Sequence, residues 1–219
     1  MTCAPVFPGV LNWAVGVCAA RLSRAAGRTG EGIISDHSDD SDPVFLSPDS
    51  EALVTLVPHP ATPSAGLQVQ TQARRRDGVL SLEYRVTGPV AALRLPQPSA
   101  RARTDGLWRT TCFEAFAGRA EGYSEYNLSP SGAWAAYGFD AYRSGMAPLE
   151  QSAPLIVTRQ TPDTLVVTAD VILPADADGR IGLTAVLETL DGAISYWALA
   201  HPSDKPDFHH PDSFVLDLP

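Results

Sequence analysis

The chain is short of positive charge, of cysteine and of unbroken apolar sequence. Its 219 residues carry 16 Lys and Arg against 25 Asp and Glu, a net charge of −9. A surface that tracks phosphates needs the opposite balance, so general nucleic-acid binding is disfavoured. Cys3, Cys18 and Cys112 are too few for a disulfide framework. They suit a reducing compartment, and the expected location is cytoplasmic. The longest apolar-leaning stretch, Cys3 to Ala20, is interrupted by Pro5, Pro8, Gly9, Asn12 and Gly16, which argues against a membrane span. Residues 51–219 hold no Gly-x-Ser-x-Gly elbow, no phosphate-cradling glycine loop and no dinucleotide fingerprint. No window of a dozen residues carries an apolar helical stripe.

What is present divides at about residue 50. Residues 1–50 run from a proline-broken apolar start through Arg21, Arg24 and Arg28 to the acidic run Asp36-His37-Ser38-Asp39-Asp40-Ser41-Asp42. Neither helical nor alternating periodicity survives there, and the arginines follow the apolar run, where a secretory signal puts its positive charge first. This part is expected to be a disordered or loosely attached extension. The chain as a whole is 44% apolar, ample material for a core.

From residue 51 the pattern alternates with period two. Leu67, Val69, Thr71 and Ala73 interleave with Gln68, Gln70 and Gln72. Leu80, Leu82, Tyr84 and Val86 repeat the pattern, as do Leu165 to Leu173 and Ile181 to Leu187. Alternation lines one face of a sheet with apolar side chains, the mark of half-buried antiparallel strands. Asp77-Gly78, Asp105-Gly106, Ser129-Pro130-Ser131-Gly132, Pro162-Asp163 and Asp191-Gly192 supply the turns between them. The expectation is an all-β domain over 51–219. Its nine to eleven strands would form an antiparallel two-sheet β-sandwich, jelly-roll-like or immunoglobulin-like.

Two stretches mix aromatic and polar residues too densely for packing alone. One runs from Leu107 to Tyr142 and the other from Ser195 to Pro211. Leu-Trp-x-x-Thr-Cys-Phe-Glu-x-Phe at 107–116 resembles a hallmark of small bacterial DOMON-like domains, relatives of the family 9 carbohydrate-binding modules. So do Tyr-x-Glu-Tyr-Asn-Leu-Ser-Pro-Ser-Gly-x-Trp-Ala-x-Tyr at 123–137 and Ser-Tyr-Trp-Ala-Leu-Ala-His-Pro with Pro-Asp-Phe-His-His at 195–210. The resemblance spans residues 51–219. It implies a jelly-roll-like sandwich with a small ligand, sugar or haem, on a concave face or rim.

A sugar presents C–H-rich faces to aromatic rings and hydroxyls to charged or amide groups. Trp108, Trp134, Tyr137 and Trp197 are candidates for the platform; Arg109, Glu114, Glu125 and Asn127 are candidates for the hydrogen bonds. Against this, tryptophans in sandwiches commonly serve as core pillars, and Glu114 could be a buried carboxylate satisfied by Arg109 or a tyrosine. A carboxylate pair, Glu114 and Glu125, could also act in acid–base catalysis, but nothing in the spacing gives their separation. The expected function is therefore a non-catalytic small-ligand-binding module with carbohydrate as the ligand class. The alternative is a haem-binding electron-transfer or sensing domain ligated by Met146 and one of His201, His209 and His210. A structural protein-interaction sandwich is third. Asp204, Asp207, His209, His210 and Asp212 crowd one proline-bounded loop, but their spacing is too loose for a metal set, and none is expected.

Overall fold

The computed structural model describes residues 50–219. The extension expected over 1–50, with Cys3 and Cys18, lies outside the described residues except for Ser50, which opens the first strand. Twelve strands occur among the described residues. The first three are β1 (Ser50–Pro58), β2 (Gln68–Arg76) and β3 (Val79–Thr87). A second group holds β4 (Cys112–Arg119), β5 (Tyr123–Leu128), β6 (Trp134–Phe139) and the two-residue β7 (Ala147–Pro148). Then come β8 (Val157–Gln160), β9 (Thr164–Ile172), β10 (Ala177–Glu188), β11 (Ile194–Ala198) and the two-residue β12 (Leu216–Asp217). The two shortest account for the excess over the expected count. No helix among the described residues is long and apolar enough to cross a membrane.

The strands pair antiparallel in the order β7-β6-β5-β4-β10-β11-β1-β2-β3-β9-β8, with β12 beside β10. β1 is the joint. Its residues Ser50–Leu56 pair with β2, and its last two, Val57 and Pro58, pair with Ala198 and Trp197 of β11. Hydrogen bonding is thereby continuous, and the strands form one curled sheet. The β2–β3 turn uses Asp77 and Gly78 at φ 50° and 75°, the doubly positive conformation whose twist suits a two-residue hairpin.

The curl brings one face of each half of the sheet onto the other. Val69, Leu80, Leu82, Tyr84 and Val167 from one half pack with Phe113, Ala115, Tyr126, Leu128 and Leu183 from the other. Burial of such side chains contributes about 1.5–3 kcal/mol each. Two tyrosines tie the halves across this core: Tyr84 Oη donates to the Glu114 carbonyl at 2.6 Å and Tyr126 Oη to the Ile172 carbonyl at 2.9 Å.

The halves differ on their outer faces. β2 alternates buried and exposed residues, as its sequence predicts. β4 and β5 are buried at nearly every position, so something covers their second face too. That cover includes the segment after β11, whose Phe208 and Phe214 join Phe116, Tyr123, Tyr137 and Phe139 in a second apolar cluster. The doubly covered face is where the charged residues converge.

Candidate functional site

Strand register sets the floor. Glu114 on β4 stands opposite Asn127 on β5 and Thr184 on β10. Glu125 on β5 stands opposite Phe116 on β4 and Tyr137 on β6. The two glutamates are therefore diagonal neighbours on one face, close enough for long side chains to interact. Above them opens a cavity of about 580 Å³, and Phe139 of β6, Val186 of β10 and Tyr196 of β11 continue its floor.

Three loops raise the walls. A short 3-10 turn, Leu107–Arg109, brings Trp108 and Arg109; Gly106 enters it at φ 77°, a conformation that favours glycine. The loop after β6 brings Arg143 and Met146. The segment after β11 brings Pro206, Phe208 and His209. Arg143 Nη2 donates to Asp207 Oδ1 at 2.7 Å, which links the last two walls. Burial raises the Asp207 carboxyl, but the hydrogen bonds from Tyr142 and Arg143 outweigh it and hold Asp207 below the usual range.

Each glutamate has its own surroundings. Glu125 Oε1 accepts from Asn127 Nδ2 at 2.6 Å, and Oε2 lies 3.9 Å from His209 Nε2. Burial pushes Glu125 above the usual range, and the Asn127 hydrogen bond and the Arg143 charge offset only part of that rise. Glu114 is 2% exposed, and its Oε2 accepts only a 3.3 Å bond from Thr184 Oγ1. Its Oε1 is buried without a partner. Burial first, then the charge of Glu125, pushes the Glu114 carboxyl well above the usual range. Neither alternative partner satisfies the carboxyl: no Arg109 bond reaches it, and the nearby tyrosine, Tyr84, bonds the Glu114 backbone carbonyl.

His209 is held from behind. The Arg143 amide donates to Tyr123 Oη at 3.2 Å, and Tyr123 Oη lies 2.7 Å from His209 Nδ1. A Tyr123 hydroxyl that accepts from the amide and donates to Nδ1 leaves the neutral ring's hydrogen on Nε2, towards Glu125. Burial, with the Arg143 charge second, lowers His209 to about 4.

No protein-family model matches this chain, and no curated protein does. Solved structures resemble its fold. A protein of Bacteroides uniformis, provisionally named as carbohydrate-binding, superposes with a TM-score of 0.54 at 10% identity, over 74% of this chain and 83% of that one. A family 9 carbohydrate-binding module of Caldicellulosiruptor kristjanssonii, solved with cellotriose, gives 0.46 at 11% identity over 76% and 80%. The same organism's module with glucose gives 0.45 at 13% over 74% and 81%. At such identities the likeness to the first is one of fold.

Of the residues singled out in the sequence, Trp108, Arg109, Glu114 and Glu125 line the cavity, as do Met146 and His209. Asn127 lies beneath them, fully buried, and orients Glu125. Tyr137 is also buried. Its ring meets Trp108 edge-on at 6.1 Å, and its hydroxyl donates to Asp105 Oδ1 at 2.5 Å. Two of the proposed platform residues are corrected. Trp134 and Trp197 sit in the main core, on the opposite face of the sheet. Trp134 pairs with Leu128 and Trp197 with Ala185, both inward-facing residues. Parity along a strand carries the reason, since Trp134 and Tyr137 are three apart and must point to opposite faces. The same parity exposes a residue passed over in the sequence: Tyr196, beside Trp197, faces the cavity. Phe139, Arg143, Val186, Pro206 and Phe208 were also passed over, the loop residues because they carry no periodic signal.

Haem does not fit this arrangement. Met146 and His209 share the cavity, but both ring nitrogens of His209 are taken up: Nδ1 lies 2.7 Å from Tyr123 Oη and Nε2 faces Glu125 Oε2 at 3.9 Å. His201 Nε2 is engaged with the Val57 carbonyl at 2.9 Å, and His210 Nδ1 accepts the Asp212 amide at 3.2 Å; neither lines the cavity. Among the described residues no three His, Cys, Asp or Glu are grouped to hold a metal ion, and Asp204 and Asp212 stand apart from the cavity lining.

Proposed function

We propose that this chain is a non-catalytic small-ligand-binding module whose ligand is a carbohydrate. In this reading its scaffold works as a two-layer, DOMON-like sandwich akin to the family 9 modules. The observation that carries the reading is Glu114: a buried carboxyl with an unpartnered oxygen, on the floor of an aromatic-walled cavity. A buried polar atom without a partner costs about 1–3 kcal/mol, which a ligand hydroxyl would recover. The fold of the Bacteroides uniformis protein supports the assignment at the level of architecture.

Each wall has a part. Trp108 is half-buried and offers an indole face to the C–H side of a sugar ring, with Phe139 and Tyr196 completing the apolar surface. Glu114 and Glu125 bond hydroxyls at the floor. Arg109 is exposed at the mouth and makes no ion pair among the described residues, so its guanidinium is available to ring or substituent oxygens. The volume falls inside the range of roughly 300–1,000 Å³ usual for small-molecule sites.

The test is calorimetric titration with a panel of neutral and charged monosaccharides and disaccharides. Binding of at least one sugar, weakened tenfold or more by Trp108→Ala, is the expected result. Failure of every sugar to give heat, with the protein folded, refutes the reading.

A further inference from the structure

We infer that the two floor carboxyls play opposite parts, Glu114 giving a hydrogen bond to the ligand and Glu125 receiving one. The cavity then selects an uncharged hydroxyl at that point and rejects an ammonium or a carboxylate. This rests on the carbohydrate reading and narrows it to neutral sugars.

The argument starts from the unequal supply of donors. Glu125 has the Asn127 amide at 2.6 Å, the His209 Nε2–H at 3.9 Å and the Arg143 guanidinium nearby. Those groups come from three separate segments, and all favour a negative charge. Glu114 has one hydroxyl, Thr184 Oγ1 on Oε2, and nothing on Oε1. Two buried carboxylates side by side repel each other strongly in a low-dielectric site, and one proton between them removes the repulsion. That proton belongs on the carboxyl with fewer donors. Because Oε2 already accepts from Thr184, the O–H lies on Oε1, the atom without a protein partner.

A ligand placed between such a pair must accept from Glu114 and donate to Glu125. A hydroxyl does both. An ammonium only donates and meets the Glu114 O–H donor to donor. A carboxylate only accepts and meets Glu125 acceptor to acceptor.

The same asymmetry makes binding sensitive to alkali. The groups facing Glu114 are Glu125 from β5, Thr184 from β10 and Tyr84 from β3 behind it. Cys112 shares its strand, and Arg109, Arg143 and His209 stand around the cavity. Burial raises Tyr84 and Cys112 well above their usual values, and His209 is already neutral above about pH 4. As pH rises, Glu114 loses the proton it donates, so affinity falls.

The experiment titrates wild type, Glu114→Gln and Glu125→Gln with glucose, galactose, mannose, xylose, glucosamine and glucuronate, and repeats the best binder from pH 6 to 9. Glutamine keeps the shape of a protonated acid and still donates. Glu114→Gln is expected to lose less affinity than Glu125→Gln and to lose the alkaline decline. Glu125→Gln is expected to lose tenfold or more. Neutral sugars should exceed glucosamine and glucuronate. Equal losses in the two variants, glucosamine as the best ligand, or a wild-type affinity rising with pH would each overturn the inference and leave the carbohydrate reading in place. The wild-type sugar panel needs no variant, so it decides the matter even if one fails to fold. Absence of binding by every sugar would instead remove the carbohydrate reading and this inference with it.

Discussion

The division of labour between two tryptophans can be tested directly. Trp197 is 2% exposed and donates from Nε1 to Ser195 Oγ at 2.9 Å. Replacement by Phe keeps a ring in the core but leaves a void of roughly 40 Å³, worth about 1 kcal/mol at ~24 cal/mol per Å³. Loss of the indole hydrogen bond costs about 1 kcal/mol more. A total near 2 kcal/mol should lower Tm by about 4–8 °C in a domain of this size. Sugar affinity should not change, because Trp197 lies on the far face of the sheet. Trp108→Ala should do the reverse: a half-exposed residue at the mouth costs about 1 kcal/mol of stability, while binding falls at least tenfold. Differential scanning calorimetry gives the first quantity and isothermal titration the second. If Trp197→Phe weakens binding while Tm stays put, the assignment of faces is wrong.

Three further outcomes follow from single features. His209 is lowered to about 4 by burial, so the unfolded chain binds a proton near pH 6.5 that the folded protein refuses. Stability should be undiminished by this group above pH 6.5 and should fall by roughly 2–4 kcal/mol as pH drops towards 4. A urea midpoint series shows this, and His209→Gln should flatten it. Gly122 has φ 73°, and a Cβ there would lie 1.8 Å from the Phe139 carbonyl oxygen. Gly122→Ala should therefore cost several kcal/mol or prevent folding, read as loss of the cooperative melt. Cys112 is fully buried, and burial first, then Glu114, pushes its thiol up. Site-resolved mass spectrometry after iodoacetamide should find Cys112 modified only in denaturant; modification in the native protein would mean that β4 opens.

The alternation along 67–73, 80–86 and 165–173 predicted β2, β3 and β9 because one face of those strands meets water and the other does not. The turn at Asp77-Gly78 was equally legible, since its backbone signs are a local matter. β4, β5 and β6 gave weaker signals. They are buried on both faces, so polar Glu114, Glu125 and Asn127 sit at positions as enclosed as Phe113. The faces themselves were within reach of the sequence and were misjudged: parity alone separates Trp134 from Tyr137 and Trp197 from Tyr196.

What the sequence determined by itself, then, was the strand-rich class and the turns, because each depends on neighbours within a few residues. Only the tertiary structure decided which strands lie side by side. It set Glu114 diagonal to Glu125, laid the segment after β11 over them, and linked Arg143 to Asp207, 64 residues apart in the chain. Those relations depend on sheet order and loop closure, and no local pattern of residues encodes the distance between groups that meet only when the sheet curls.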